Sequence, residues 1–280
     1  MEKRKIIYIL IGVFCLFAIL AGVYAQVSTG KKDNVIEPNL DIEIEEPKEK
    51  TQEEIKTQFA SIFNNTFVAG QFDTTNITKL NSEKDIVYEA YDIQEQKENY
   101  EVNIHLPVIN IKGEVPKKFN NITQDVFANK ASEVLGNKTD NKIIYTVTYS
   151  SYINEDILSL VIKSTLKEGS NPQRVVVQTY NYNLITGEEV KITDILAKNN
   201  IIQSECQNKI DAVVKKAQEE AQVLMQSGYT VYNRDISSDI YLIANVATYF
   251  WGENGELYII FPYGNQNFTS EMDIIFYGEN

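Results

Sequence analysis

The sequence predicts an α+β protein: an N-terminal transmembrane helix, then an ectodomain of mainly antiparallel sheet packed with two long helices. Three observations predict it. Residues 6–25 run without a charge behind Lys3, Arg4 and Lys5. Period-two alternation of apolar and polar residues recurs in several runs between 85 and 277. Only two long stretches, near 116–135 and 199–226, carry apolar residues three or four apart. Helices therefore come singly rather than after every strand, which is the pattern of α+β and not of a doubly wound sheet.

The N-terminal run, from Ile6 through Ala25, spans about 20 residues, or ~30 Å as a helix, enough to cross the hydrocarbon core of a lipid bilayer. The basic head places the N-terminus in the cytoplasm and everything after residue 25 outside. Val23-Tyr24-Ala25 also fits a signal-peptidase site, so secretion after cleavage behind Ala25 is the alternative. On the anchored reading the cytoplasmic part is about five residues long, too short for a signalling domain, and function lies outside the membrane. Residues 26–50 hold Pro38, Pro47 and the acids Glu43, Glu45, Glu46 and Glu49, and read as an acidic linker. Its "LDIEIE" alternates, which leaves a short strand as the other reading.

Thr51 and Glu54 form a capping-box pair ahead of Ile55, Phe59, Ile62 and Phe63 on one helical face. "DIVYEAYDIQ" (85–94) and "NYEVNIHLPVIN" (99–110) alternate as strands, with Pro107 marking an edge or a bulge. Pro116 opens the first long helix, and Gly136-Asn137 ends it. "KIIYTVTYSSYI" (142–153) sets Ile143, Tyr145, Val147 and Tyr149 on one face, and a hairpin through Asn154-Glu155 leads into "DILSLVIKSTL" (156–166). The loop 169–172 precedes the strand "QRVVVQTYNYNL" (173–184). Thr186-Gly187 then turns the chain towards Val190 and Ile192, a short strand, and Asp194 fits the turn into, or the cap of, the "DILAKNN" segment. After the second long helix, "VATYFW" and "ELYIIFPY" flank "GENG" as a hairpin, and "MDIIFY" supplies a last strand.

At 280 residues and 43% hydrophobic, the chain can bury a sizeable core as one large domain or two small ones. Its formal charge is −13. Phosphates would be repelled, which argues against nucleic acid and leaves basic proteins, cations and neutral glycans. Cys15 in the apolar run and Cys206 in a helical pattern exclude a disulfide scaffold and thiol-rich metal sites, and Cys206 reads as a small buried apolar residue. His105 is the only histidine, so multi-histidine metal sites are excluded and any Ser-His-Asp triad depends on it alone. It shares the polar strand face with Glu101 and Asn103 and reads as a surface or satisfied side chain. Glu188, Glu189 and Asp194 have the composition of a glycosidase pair but lie in turn and cap positions. No phosphate-binding glycine loop is present, and no cofactor, metal or catalytic constellation is expected. Among the late aromatics, Trp251, Tyr249 and Tyr263 are the candidate ligand-binding residues, because exposed rings stack on sugars, whereas buried ones fill a sheet face.

The order of "VNIHLPVINIKG", "FNNIT", "YTVTYSSYINEDILSLVI", "EGSNP", "TYNYNLITGEEVKITDIL" and "ELYIIFPYGNQNFTSEMDIIF" resembles bacterial envelope proteins with paired extracytoplasmic domains of the DUF4163 and DUF3298 families. The resemblance covers about residues 80–277. It implies a DUF4163-like half with the preceding helix over 51–170 and a DUF3298-like half over 171–280. In related proteins the module binds lysozyme as the sensor of an anti-sigma factor, or precedes the catalytic domain of a peptidoglycan deacetylase. This chain has neither a long cytoplasmic tail nor a following deacetylase domain. The resemblance therefore implies a membrane-anchored binding or sensing module rather than an enzyme, recognising a cell-wall glycan such as peptidoglycan or an envelope protein. An acidic receptor for a basic protein such as lysozyme is one alternative, and a carboxylate-dependent wall hydrolase is another.

Overall fold

The computed structural model describes residues 50–138, 140–263 and 271–278. The expected anchor at 1–25 and the linker as far as 49 lie outside the described residues. Among those described, no helix is long and apolar enough to cross a membrane.

Helix α1 (Gln52–Ser61) starts at the predicted capping box. Thr51 Oγ1 accepts the Glu54 N–H at 3.3 Å, and Glu54 Oε2 accepts the Thr51 N–H at 2.7 Å. A wide sheet comes next, built from β1 (Phe67–Val68), β2 (Val87–Gln96), β3 (Tyr100–Ile109), β4 (Ile143–Asn154), β5 (Ile157–Glu168) and β6 (Arg174–Asn183). Its order is β2-β3-β4-β5-β6, with β1 also beside β4. The sheet is mixed, for β3 and β1 both run parallel to β4, at Ile143–Val147 and at Ser151 and Tyr152 respectively. The first long helix is the cause. It comprises α2 (Glu114–Thr123), a π turn (Gln124–Ala128) and α3 (Asn129–Leu135). It carries the chain back along the sheet, so that β4 sets out in the same direction as β3.

The expected helix over 199–226 is present as one helix from Gln203 to Gln226, and a separate short helix precedes it. α4 (Ile192–Lys198) stands alone, and α5 (Gln203–Gln226) begins after Asn200, whose φ of +56° ends the first piece. Asp194 is the third residue of α4 and accepts the Lys191 N–H at 3.1 Å. The "TGEE" turn is a hairpin, with Asn183 Oδ1 accepting the N–H groups of Ile185 and Thr186. A single bridge between Tyr182 and Glu189 replaces the expected short strand. A second, antiparallel sheet holds β7 (Tyr249–Trp251), β8 (Leu257–Pro262) and β9 (Met272–Tyr277).

Alternation sorts the side chains into layers. Tyr145, Val147, Leu160, Ile162, Tyr180 and Tyr182 pack with Phe119, Phe127 and Val134 of the first long helix. The opposite face of β5 and β6, through Val161 and Val177, meets Tyr258, Ile260, Ile274 and Phe276 of the small sheet together with α1. The far face of the small sheet, through Leu257, Ile259 and Ile275, lies under Cys206, Ile210 and Val214 of α5. The order is helix, wide sheet, small sheet, helix. β5 is covered on both faces, which explains why Ile157 through Ile162 are all buried and read as a nearly continuous apolar run.

The two sheets are joined by hydrogen bonds as well as by packing. β7 pairs with β8 on one side only, so the backbone groups of Tyr249 and Trp251 point away from its partner. Side chains of the wide sheet satisfy all of them. The Tyr249 N–H donates to Thr179 Oγ1 at 3.1 Å, and its carbonyl accepts from Asn181 Nδ2 at 3.1 Å. The Trp251 N–H donates to Ser159 Oγ at 2.9 Å, and its carbonyl accepts from Asn154 Nδ2 at 3.2 Å. Ser159 in turn donates to Asn181 Oδ1 at 2.6 Å. Behind the small sheet, buried Arg234 grips Asp273 through Nε at 3.1 Å and Nη2 at 2.9 Å. Asp273 also accepts from Tyr263, at 2.6 Å.

Asp273→Ala removes the two-point carboxylate partner of a buried guanidinium, leaving it Glu271 at 3.3 Å, and is expected to cost about 3 kcal/mol. Asn181→Ala strands one carbonyl and a hydroxyl and is expected to cost less, about 1–3 kcal/mol. Urea denaturation of the two variants checks both the sizes and their order.

Candidate functional site

A groove of about 600 Å³ lies where three turns meet. The first is the β4–β5 hairpin, whose two turn residues are Glu155, at φ +48°, and Asp156. The second is the 69–73 loop. Gly70 passes so close beneath β4 that a Cβ there would lie 2.3 Å from the Ile153 carbonyl oxygen, and its φ is +60°. The third is the Glu253–Gly255 turn, with Asn254 at φ +55°. Phe72, Asp73, Tyr152, Asn154, Asn254 and Gly255 line the groove beside Glu155 and Asp156.

Charge in the groove is partly tied down. Lys198 of α4 donates to Glu155 Oε2 at 2.5 Å and to Asp156 Oδ1 at 3.0 Å. Asp156 also accepts from Asn183 Nδ2 at 2.8 Å. Burial pushes the Asp156 carboxyl up, but the Lys198 ammonium and the Asn183 amide outweigh it and hold the group below the usual carboxylate range. Asp73 is lowered too, by the Thr75 backbone N–H at 2.9 Å. Both acids thus stay anionic at neutral pH and act as acceptors. The Asn154 amide faces inward, onto the carbonyls of Trp251 and Gly252. Aromatic faces, fixed acceptors and one exposed amide suit a ligand rich in hydroxyl donors and ring C–H groups.

The residues singled out from sequence lie elsewhere. Trp251, Tyr249 and Tyr263 are 4%, 8% and 3% exposed and fill the core beneath α5, so they offer no stacking surface. Tyr249 donates to the Val190 carbonyl at 2.6 Å and borders a smaller recess of about 180 Å³ with Glu189 and Tyr180. Tyr263 belongs to the Arg234–Asp273 network, where burial and then the Asp273 carboxylate push its phenol far up. The Trp251 indole Nε1 is buried without an acceptor among the described residues. It lies 4.0 Å from where a Cβ on Gly255 would stand, just behind the groove wall. Glu188 and Glu189 are exposed, Glu189 lying 3.7 Å from Lys118. His105 sits on the β2–β3 hairpin and bonds Glu89 and Asn103. Sequence reasoning missed Phe72, Asp73 and Tyr152. The signals for the groove were the Asn154-Glu155 and "GENG" turns, and nothing local says that the 69–73 loop returns to them.

No protein-family profile matches the chain, and no curated protein does. Among solved structures the chain is similar to a DUF3298 family protein from Pseudomonas aeruginosa, at 12% identity over 62% of this chain and 79% of that one, with a TM-score of 0.32. It is also similar to a member of the DUF3298 family from Bacteroides fragilis, at 10% identity over 37% of this chain and 60% of that one, with a TM-score of 0.20.

A carboxyl held below its ordinary pKa stabilises the fold above that ordinary value and stops doing so as pH falls through the lowered one. Asp156→Asn should therefore lower the urea midpoint at pH 7, and the gap from the unmodified chain should close as pH drops below 3.8. A gap that widens towards acid would contradict this sign.

Proposed function

We propose that the chain is an extracytoplasmic binding module, anchored in a bacterial membrane by residues 6–25, whose groove takes a stretch of cell-wall glycan. The anchor part rests on the uncharged run behind Lys3, Arg4 and Lys5. The observation that carries the ligand class is the groove lining, in which the half-buried aromatics Phe72 and Tyr152 stand beside the polar Asp73, Glu155 and Asn254. A glycan carries hydroxyl donors for the fixed acceptors and C–H faces for the rings. The chain's charge of −13 disfavours anionic polymers and does not disfavour neutral sugars. On this reading the protein recognises and does not cleave.

The same charge supports a second reading, an acidic receptor for a basic protein such as lysozyme. The two differ in salt dependence, because attraction between net charges is screened within ~8 Å at physiological ionic strength and contacts in a groove are screened far less.

Calorimetric titration of the full chain in detergent with soluble peptidoglycan oligosaccharides tests the proposal. Saturable binding that changes little between low and high salt is expected. Asn254→Gly keeps the left-handed turn and removes only the amide, and with Phe72→Ala it should weaken binding about tenfold, or ~1.4 kcal/mol. Absence of binding at millimolar oligosaccharide would overturn the glycan reading. Binding of lysozyme that collapses with salt would move the assignment to the second.

A further inference from the structure

We propose that Glu89, Asp92 and His105 form a binding site for a divalent transition-metal ion, of which zinc is the reference member. The site lies on the β2–β3 hairpin, apart from the groove, and does not depend on the glycan reading.

Backbone register builds it. In an uninterrupted strand, residues 89 and 92 are three apart and face opposite sides of the sheet. β2 is interrupted, because Glu89 stands opposite Pro107, Tyr91 stands opposite Leu106, and Ala90 is the extra residue of a bulge. Past the bulge, Asp92 pairs directly with His105. Pro107 and His105 are two apart on β3 and share a face, so Glu89, Asp92 and His105 all emerge on that face. The bulge falls opposite the one residue of β3 that has no N–H to offer a ladder.

The atoms converge. His105 Nδ1 is 2.5 Å from Glu89 Oε1 and 3.6 Å from Asp92 Oδ1. The three candidate ligand atoms lie within 4.8 Å of one another. An ion at ~2.0–2.2 Å from each atom would hold the three about 3–4 Å apart, an adjustment within reach of these rotatable side chains. The other ring nitrogen is also engaged, since His105 Nε2 is 3.1 Å from Asn103 Oδ1, on the same strand face. In the tautomer that carries its proton on Nε2, Asn103 Oδ1 accepts that proton and the Nδ1 lone pair is available to an ion. This is the outer-shell arrangement that sets the tautomer of a metal-bound histidine. Three electron-pair donors on one strand face can share a cation between them. One imidazole and two carboxylates select a borderline ion such as zinc over calcium or magnesium, which take oxygen ligands. His105 and Glu89 have side chains 31% and 28% exposed, and Asp92 is 71% exposed, so the ion can enter and keep an open position. The competing occupant is a proton, which would make His105 an imidazolium paired with Glu89.

The test titrates zinc alone into the full chain. His105 is the only histidine, so its ring nitrogens are unambiguous in 15N NMR. The expected result is one saturable site, with the change centred on Nδ1 and no competition from millimolar magnesium. His105→Ala and Glu89→Gln should abolish it. Asn103→Ala should weaken it about tenfold while leaving the urea midpoint in place. Three results would overturn the assignment: no saturable shift of the ring nitrogens by millimolar zinc, a shift centred on Nε2, or unchanged zinc affinity in His105→Ala with an intact fold.

Discussion

The open edge of β7 is the constraint on which the arrangement turns. An edge strand buried between two sheets has unpaired N–H and C=O groups that cost free energy unless something satisfies them. Here Thr179, Asn181, Ser159 and Asn154 do so, from three neighbouring strands of the wide sheet. Side chains on β4, β5 and β6 thereby fix how the small sheet crosses the large one. Only with β7 held there do Val161 and Val177 meet Tyr258 and Ile260, and only then does the outer face of the small sheet present itself to α5.

The candidate site arises from the same attachment. Asn154 ends β4, opens the β4–β5 turn and holds the backbone at Trp251 and Gly252. That joins the hairpin turn to the Glu253–Gly255 turn, and the groove is the space between them and the 69–73 loop. Lys198 and Asn183 then tie the turn acids to α4 and β6. The groove is thus carried on short turns pinned at both ends, which suits a preformed binding surface. The polar face of β2–β3 depends on a different device, a bulge, and stands apart.

Much of this was legible in local pattern. The capping box at Thr51, the alternation along β3 and β4, the turn at Asn154-Glu155 and the "GENG" turn all act within a few residues, and the structure keeps to them. The "TYNYN" run read as a strand entering a hairpin, and it is one. What its alternation could not say is that Thr179 and Asn181 face a second sheet while Tyr180 and Tyr182 face the helix, since that needs the partner β7. The parallel pairings of β1 and β3 with β4 were illegible for the same reason, as strand direction depends on where a helix returns the chain. Trp251, Tyr249 and Tyr263 look alike as surface or core aromatics in sequence, and α5 decided for core. Plain alternation would set Glu89 and Asp92 on opposite faces; one extra residue in β2 reverses that parity, and alternation does not reveal a bulge.

Native-state hydrogen exchange on the intact chain tests the central claim most directly. If the edge of β7 is sealed by the wide sheet, the Tyr249 and Trp251 amides should exchange only through global unfolding, with the same protection as Leu160 in the buried β5 ladder. Exchange at Tyr249 and Trp251 orders of magnitude faster than at Leu160 would show a free edge and contradict this arrangement.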